Sequence, residues 1–259
     1  PWASKVNKRS PLPEYPRPQL QRKAWQNLNG QWQLSTLDSG EPAPVGTSGE
    51  AYNEKITVPY PIESDLSGIG RHEDDFAYRR EFTVPRSWKV GTGQRLKLNF
   101  GAVDYKAIVY VNGTEVASHT GGYDEFSADI TDAVNGGKNE LVVRVEDTTG
   151  NQPRGKQEAN PSGIFYTPNS GIWQTVWMEP VAETSVSHLG LSTSKDRKQL
   201  LVDPEVEGAE SAEVKVVVKD RGRVVGQGKG PSGEQLAIDI KNPHLWTPDD
   251  PHLNDLTVT

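Results

Sequence analysis

The feature that most constrains the fold of this chain is a short-period alternation of apolar and polar residues. In segments 96–100 and 141–145 every second residue is apolar, which places these side chains on one face of a β-strand. Both segments are therefore predicted to be half-buried strands. The 25 Gly and 19 Pro among 259 residues imply many tight turns. We predict an all-β protein.

The clearest local prediction is a β-hairpin centred on Asn112-Gly113. This dipeptide separates two strand-like runs, residues 108–111 and 114–117, and Asn-Gly accepts the positive φ angles of a type I′ turn. Asn112-Gly113-Thr114 also matches the N-glycosylation triplet, but the turn alone explains these residues.

The order of the strand-like segments predicts two domains. Prolines punctuate residues 1–18, which we expect to form an extended surface arm. The turn dipeptide Asn29-Gly30 predicts a strand near Gln31, with a short helix before it as an open alternative. After Val181 the segments fit an immunoglobulin-like topology, with strands near 185–191, 200–206, 213–220 and 236–240 and Gly-rich turns at 226–233. A last strand, 253–259, has no partner after it, so we expect the natural chain to continue.

The bulk properties exclude several kinds of partner. A formal net charge of −7 argues against nucleic acid, because such binding depends on Lys and Arg neutralising phosphates. The longest apolar runs, such as 107–111, have about five residues, whereas a membrane helix needs roughly 20; no membrane partner is predicted. The absence of cysteine excludes disulfides and leaves secreted (extracellular) and cytoplasmic bacterial locations both open.

The sequence also lacks the equipment for catalysis. The five histidines show no His-Glu-x-x-His spacing and have no cysteine beside them, so no metal site and no cofactor are predicted. Gly68-Ile69-Gly70 lacks the strand-to-helix context of a phosphate loop. Adjacent acids such as Asp124-Glu125 would point to opposite faces of a strand and could not flank a glycosidic bond. A solvated loop is the simplest interpretation of such pairs, with a bound Ca²⁺ as an alternative.

One loop concentrates side chains that bind sugars. Sugars stack on aromatic rings and bond to planar amide, carboxylate and guanidinium groups. Residues 151–157 are rich in such groups and precede the aromatic pair Phe165-Tyr166; the alternative is an ordinary solvated loop. Trp173, Thr175 and Trp177 are predicted to share one face of a strand, with the two tryptophans either as a stacking platform or as part of the core.

Several segments follow one another in an order found in a known enzyme family. They are Trp25-Gln26-Asn27-Leu28-Asn29-Gly30-Gln31-Trp32, Val58-Pro59-Tyr60-Pro61-Ile62-Glu63-Ser64, Tyr78-Arg79-Arg80-Glu81-Phe82, Leu98-Asn99-Phe100-Gly101-Ala102-Val103-Asp104, the hairpin with Val111-Asn112-Gly113, His119-Thr120-Gly121-Gly122-Tyr123, Ser170-Gly171-Ile172-Trp173 and Leu245-Trp246-Thr247-Pro248-Asp249-Asp250-Pro251. Together they resemble glycoside hydrolase family 2, the β-galactosidase and β-glucuronidase family. The resemblance implies a galactose-binding-like jelly-roll domain at 1–182, a truncated immunoglobulin-like domain at 183–259 and a catalytic TIM barrel after it. Both catalytic glutamates of that family lie on barrel strands, so this chain alone is expected to be inactive, with no catalytic residue.

The resemblance also implies that the first domain lends residues to the edge of the active site. The candidate substrate-binding residues are His119, Tyr123, Asp124, Gln152, Arg154, Lys156, Gln157 and Tyr166. At two positions where β-galactosidase-like chains carry Asn and Asp, this sequence has Thr57 and Phe165. A small gap would bring Glu158, Asn160 or Asn169 into the second position.

We therefore predict the non-catalytic sugar-binding and linker portion of a retaining family 2 glycosidase, whose parent protein hydrolyses O-glycosidic bonds in carbohydrate metabolism. The expected partners are carbohydrate and the downstream catalytic barrel, and assembly into a homo-oligomer is left open. Two other functions fit the same residues: a free-standing carbohydrate-binding module, and a structural scaffold without a ligand.

Overall fold

In the computed structural model, which describes residues 3–47 and 49–259, strands make up nearly all of the regular structure. The helical elements of the described residues are two three-residue 3₁₀ turns, Ala3–Lys5 and Arg86–Trp88. No helix in this part of the chain is long and apolar enough to cross a membrane. The all-β prediction is confirmed. The chain divides into two compact units between Pro180 and Val181.

The first unit is a jelly-roll β-sandwich made of antiparallel strands. Its strands are β1 (Gln26–Asn27), β2 (Gly30–Thr36), β3 (Glu54–Val58), β4 (Asp75–Thr83), β5 (Gln94–Phe100), β6 (Val103–Asp104), β7 (Lys106–Val111), β8 (Thr114–Thr120), β9 (Phe126–Asp129), β10 (Lys138–Glu146), β11 (Gly171–Ile172) and β12 (Val176–Ala182). One sheet has the order β3-β2-β4-β10-β7-β8, the other has the order β1-β12-β5-β9, and β6 pairs with β11.

The core of this unit lies between the two sheets. The alternating apolar residues of β5 are fully buried there, as predicted. The prediction for β10 is wrong in one respect, because Val142 on its other face is buried as well. The connection between β2 and β3 explains the difference, since its Leu37, Ala43 and Tyr52 pack in one cluster with Val142. The strand is thus buried on both faces.

The predicted hairpin joins β7 to β8. Asn112 and Gly113 have φ angles of 50° and 83°, the positive values that a type I′ turn requires. The Asn112 side chain donates to the carbonyl of Ala133 (2.7 Å) and accepts from the backbone N–H of Glu140 (2.9 Å). The hairpin is confirmed, and its turn is bonded to the start of β10.

The segment before Asn29-Gly30 forms a strand, so the alternative of a short helix is wrong. Gln26 and Asn27 lie opposite Met178 and Trp177 in an antiparallel ladder. The reason is tertiary, because β12 offers an open edge on which this two-residue strand pairs. The strand predicted near Gln31 is confirmed and begins at Gly30.

The N-terminal arm, residues 3–25, is anchored to the first unit by a buried carboxylate. Glu179 of β12 is buried and accepts hydrogen bonds from Tyr15 Oη (2.6 Å), Arg17 (2.6 Å) and Arg22 (3.1 Å). A buried carboxylate is costly unless it is paired and hydrogen-bonded, so the arm and Glu179 depend on each other. The predicted arm is confirmed over residues 3–18, except that Ala3–Lys5 form a 3₁₀ turn instead of extended chain. Pro1 and Trp2 of that prediction lie outside the described residues.

The second unit is an immunoglobulin-like sandwich of two three-stranded sheets. Its strands are β13 (Ser185–Thr193), β14 (Gln199–Glu207), β15 (Glu213–Asp220), β16 (Arg223–Pro231), β17 (Leu236–Asp239) and β18 (Asp255–Val258). The sheet orders are β13-β14-β17 and β16-β15-β18. The core residues include Val202, Val214, Val216, Val218, Leu236 and Ile238. The predicted strands are all present, the last of them shorter than expected.

The Gly-rich turns predicted at 226–233 are wrong, because most of that segment belongs to β16. Gly228 and Gly230 occupy alternate positions, so they share one face of the strand. A Cβ atom on Gly228 would lie only 2.6 Å from Ile238 Cδ1, and one on Gly230 would lie 2.5 Å from Leu236 Cδ2. These glycines therefore make room for the large side chains of β17, as glycine in a strand does at a close approach.

Candidate functional site

The candidate site is built around Asp104, the last residue of β6. Its side chain is buried, and its Oδ2 accepts a hydrogen bond from Gln157 Nε2 at 3.4 Å. Its Oδ1 has no hydrogen-bond partner among the described residues. Gly122, in the loop between β8 and β9, packs so closely on this carboxylate that any Cβ there would collide with it. Glycine is therefore needed where this loop approaches Asp104.

A second buried carboxylate lies close to the first. Burial raises the pKa of Asp104 to about 6, and the negative charge of Asp147 acts in the same direction. Asp147 follows β10, and its Oδ1 accepts from the backbone N–H of Thr149 (2.9 Å) and from Gln152 Nε2 (2.7 Å). Its Oδ2 is buried without a partner in the described part of the chain. Asp104 therefore titrates much closer to neutral pH than an ordinary aspartate.

Two of the predicted substrate-binding residues lie at this carboxylate: Gln157 contacts it directly, and Tyr123 contacts Gln157. Tyr123 is 56% exposed, and its hydroxyl lies 3.4 Å from Gln157 Nε2. Its ring packs edge-on against Trp173, whose Nε1 donates to the carbonyl of Gly122 at 2.8 Å. The predicted strand face shared by Trp173 and Trp177 is wrong, because Trp173 precedes β12. Trp177 is buried, as the core alternative predicted.

Two predicted sugar-binding residues have their polar groups engaged within their own loop. The Gln152 amide is bonded to Asp147. The Arg154 guanidinium donates to the carbonyl of Thr149 and to Glu158 Oε1, the latter at 3.0 Å. In this arrangement Gln152 and Arg154 hold the shape of the loop.

The residues that follow present an apolar surface to solvent. The backbone N–H of Tyr166 donates to the carbonyl of Lys156 (2.9 Å), and the N–H of Glu158 donates to the carbonyl of Tyr166 (3.0 Å). The apolar shelf, as we name these exposed residues, consists of Ile164, Phe165 and Tyr166, which are 67%, 44% and 66% exposed. Lys156, whose carbonyl accepts this bond from Tyr166, is exposed as well. Gln157 Oε1 accepts from the N–H of Asn169 at 2.6 Å and connects this loop to the Asp104 carboxylate.

His119 and Asp124 flank Gly121 at the end of β8. The His119 ring stacks on Phe126 with centroids 4.4 Å apart, and its Nδ1 is buried without a partner within the described residues. Asp124 is exposed. A Cβ on Gly121 would lie 3.4 Å from His119 Cε1 and 3.5 Å from Asp124 Oδ2. The structure thus uses His119 for packing and leaves the Asp124 carboxylate in solvent.

An ion network that runs from the buried side chain of Glu63 to the exposed Asp74 supports the segment that leads into β11. Glu63 accepts from the backbone N–H of Ser170 (3.0 Å) and is bonded to His72 Nδ1 (2.8 Å), while His72 Nε2 contacts Asp74 (2.9 Å). Burial acts to raise the pKa of Glu63, but the hydrogen bonds from His72 and Ser170 outweigh it and lower that pKa. The hydrogen bond with Glu63 raises the pKa of His72.

Sequence reasoning missed the buried centre of this site. Asp104 directly follows Ala102-Val103 and Asp147 directly follows β10, and these positions at strand ends were the available signal that they would be buried. Thr57, the counterpart of a family asparagine, is buried in β3 and bonds through its N–H to the carbonyl of Ser67. Phe165, the other counterpart, belongs to the apolar shelf.

Along nearly its whole length, the chain is similar to proteins of one known family. The family model described as "Glycosyl hydrolases family 2, sugar binding domain" matches residues 26–167, and "Glycosyl hydrolases family 2" matches residues 170–259. The β-glucuronidases of Canis lupus familiaris and Felis catus are 30% and 29% identical, each over 90% of this chain. A solved β-glucuronidase structure from an uncultured Clostridium sp. matches with a TM-score of 0.69 and 26% identity, over 93% of this chain and 43% of its own. The chain spans about 40% of the length of these two curated relatives.

Proposed function

Because the chain belongs to glycoside hydrolase family 2, we propose that it is the sugar-binding and linker portion of a retaining glycosidase. In this proposal residues 1–182 bind sugar and residues 183–259 link them to a catalytic barrel of the parent chain. That barrel carries the acid/base and the nucleophile, which a retaining mechanism places on two carboxyl groups. The chain by itself binds and positions sugar without cleaving it.

One observation carries the sugar-binding half of the proposal: exposed rings lie beside anchored polar groups at one edge of the sandwich. Tyr123 and Tyr166 are both more than half exposed, and Gln157 is bonded to Tyr123 and Asp104. Sugars present apolar C–H faces that stack on rings, and their hydroxyls need a few fixed polar groups for orientation. This edge offers both kinds of group.

The exposed residues divide into distinct roles. Tyr166 and the rest of the apolar shelf supply a stacking surface, while the Tyr123 hydroxyl and the Asp124 carboxylate are placed to bond sugar hydroxyls. Gln152 and Arg154 act indirectly, because their bonds fix the loop that carries the shelf. His119 supports the neighbouring loop by stacking on Phe126.

The charge of the loop suggests the class of sugar. The named relatives are β-glucuronidases, and a glucuronide carries a carboxylate. Lys156 is exposed next to Tyr166, whereas the Arg154 guanidinium is bonded to Glu158. We therefore extend the proposal to acidic sugars at the ends of oligosaccharides or glycoconjugates, with Lys156 as the partner of the carboxylate.

Two measurements test the proposal. The isolated chain should release no chromophore from aryl β-glucuronides or β-galactosides, and any release would overturn the non-catalytic assignment. Calorimetric titration with glucuronic acid and its oligosaccharides should give a saturable response, which Tyr166→Ala and Lys156→Ala should weaken by about tenfold, the loss expected from one stacking or charged contact. Trp246→Ala removes another exposed ring (57%) from the second unit and should leave the affinity unchanged.

The apolar shelf also supports a second candidate function, that of a docking scaffold. Ile164 is 67% exposed, and a contiguous exposed apolar patch often marks a protein contact. In this alternative the shelf packs on the barrel of the parent chain or on a second copy, and no sugar binds. Absence of any saturable sugar response would favour the scaffold, and sedimentation analysis would show whether copies associate.

A further inference from the structure

Three side chains with metal-binding atoms come together in the second unit. Asp220 is the last residue of β15, and His244 and His252 lie in the segment that leads into β18. One ligand atom from each lies within 4.8 Å of the others. Among the residues that the structure describes, this is the only group of three or more His, Cys, Asp or Glu side chains with such spacing.

The backbone explains why these residues meet. Because β18 pairs with β15, the loop at residues 244–252 returns beside the end of β15. Thr247 and Asp250 close this loop with two backbone hydrogen bonds of 2.9 and 3.1 Å. In this loop conformation His252 Nε2 lies 3.0 Å from Asp220 Oδ1.

The two imidazole rings stack on each other, and each of them contacts a carboxylate. His244 and His252 are stacked, with centroids 3.9 Å apart and planes inclined by 10°. His244 Nε2 lies 2.6 Å from Asp250 Oδ2. Carboxylates bonded to imidazoles fix the tautomer and orientation of histidine ligands in metal sites. The His244 side chain is 37% exposed, which leaves a path for an ion.

The ligand atoms select a class of ion. Imidazole nitrogens with a carboxylate oxygen suit Zn²⁺ and neighbouring transition metals, whereas Ca²⁺ and Mg²⁺ prefer sets of oxygen ligands. A tetrahedral ion with bonds of about 2.0–2.1 Å holds its ligand atoms ~3.3 Å apart, and it lies in the plane of each imidazole that binds it. Binding therefore requires the two stacked rings to turn out of their parallel arrangement. We propose that Asp220, His244 and His252 bind one divalent transition-metal ion of the Zn²⁺ class, with Asp250 orienting His244.

The prediction that the chain has no metal site was based on the spacing of the histidines along the sequence and on the absence of cysteine. His244 and His252 are separated by seven residues, and Asp220 comes from a different strand. No linear motif joins them, so the group becomes visible only when β18 is paired with β15. An ion bound there would tie the end of β15 to the loop before the last strand.

Titration of the full chain with ZnCl₂ tests this site. Calorimetry in a buffer that does not bind metals should give one Zn²⁺ per chain, with the affinity at least tenfold weaker in His244→Ala and in His252→Ala. Co²⁺ provides a second readout, because a four-coordinate site should give intense visible absorption bands that both variants lose. MgCl₂ should give no saturable heat.

The matched control is His188→Ala, which removes an exposed histidine from β13 of the same unit. It should leave both the zinc affinity and the cobalt spectrum unchanged. His244→Gln serves as a second variant that keeps a side chain of similar size, and it should lose the cobalt bands as well. Absence of saturable zinc binding, or equal weakening by the His188 variant, would overturn the proposal.

Discussion

Replacing Asp104 by Asn removes a carboxylate that the fold has buried against Gly122. Its pKa is raised to about 6 from about 3.8, so the folded chain binds this proton more tightly than the unfolded chain does. At about pH 8 both states have lost the proton, and the folded state carries a penalty of about 3 kcal/mol at ~1.36 kcal/mol per pKa unit. At about pH 4 the folded state keeps its proton and the penalty falls below about 1 kcal/mol.

Asp104→Asn should therefore stabilise the first unit by about 2 kcal/mol more at about pH 8 than at about pH 4. Asn has nearly the same shape as Asp, so the close contact with Gly122 should survive. Urea unfolding followed by tryptophan fluorescence measures the effect, since six of the seven tryptophans precede Pro180. Asp124→Asn, which changes an exposed acid in the β8–β9 connection that carries Gly122, is the control and should change little. A stability difference that stays constant across this pH range would refute the assignment of the raised pKa to Asp104.

Three further substitutions test other contacts. Glu179→Ala should lower the free energy of unfolding by about 2–4 kcal/mol, because the arginines of the N-terminal arm lose a buried partner. Chemical denaturation measures this loss. A loss below about 1 kcal/mol would mean that other contacts hold the arm. Gly171→Ala should destabilise the first unit, since a Cβ there would collide with the Tyr78 hydroxyl, and adding Tyr78→Phe should recover part of the lost melting temperature; no recovery would contradict the clash. The bond with Glu63 raises the pKa of His72, so its stabilisation is present below the unfolded pKa and is lost as the pH rises through the folded one. His72→Gln should thus cost more at about pH 5.5 than at about pH 8.5 in thermal unfolding, and equal losses would argue against that bond.

The sequence predicted correctly those elements that depend only on neighbouring residues in the chain. The Asn112-Gly113 hairpin was predictable because its turn needs positive φ angles at two adjacent residues, and few dipeptides accept them. The glycines of β16 gave the wrong signal, because their purpose is to accommodate Ile238 and Leu236 on the facing sheet. The second buried face of β10 likewise depends on the loop that covers Val142. Information of this kind lies in the partner, which a single segment does not reveal.

The candidate site follows the same division. The exposure of Tyr166 and Lys156 was predictable, because both residues belong to a polar loop. Gln152 and Arg154 have equally suitable chemistry, yet backbone and carboxylate partners nearby engage their polar groups. Whether a polar side chain faces solvent or its own loop depends on distances that composition does not contain.

The hydrogen bonds between the N-terminal arm and Glu179 affect the choice of an N-terminal boundary for expressing this domain. The family model starts at residue 26, which is after all three arm residues that bond to Glu179. An expression boundary chosen from that alignment would leave a carboxylate buried in β12 with its cations deleted. Such a truncated protein should be poorly soluble even though every aligned strand is present, so the boundary for recombinant work belongs upstream of Tyr15.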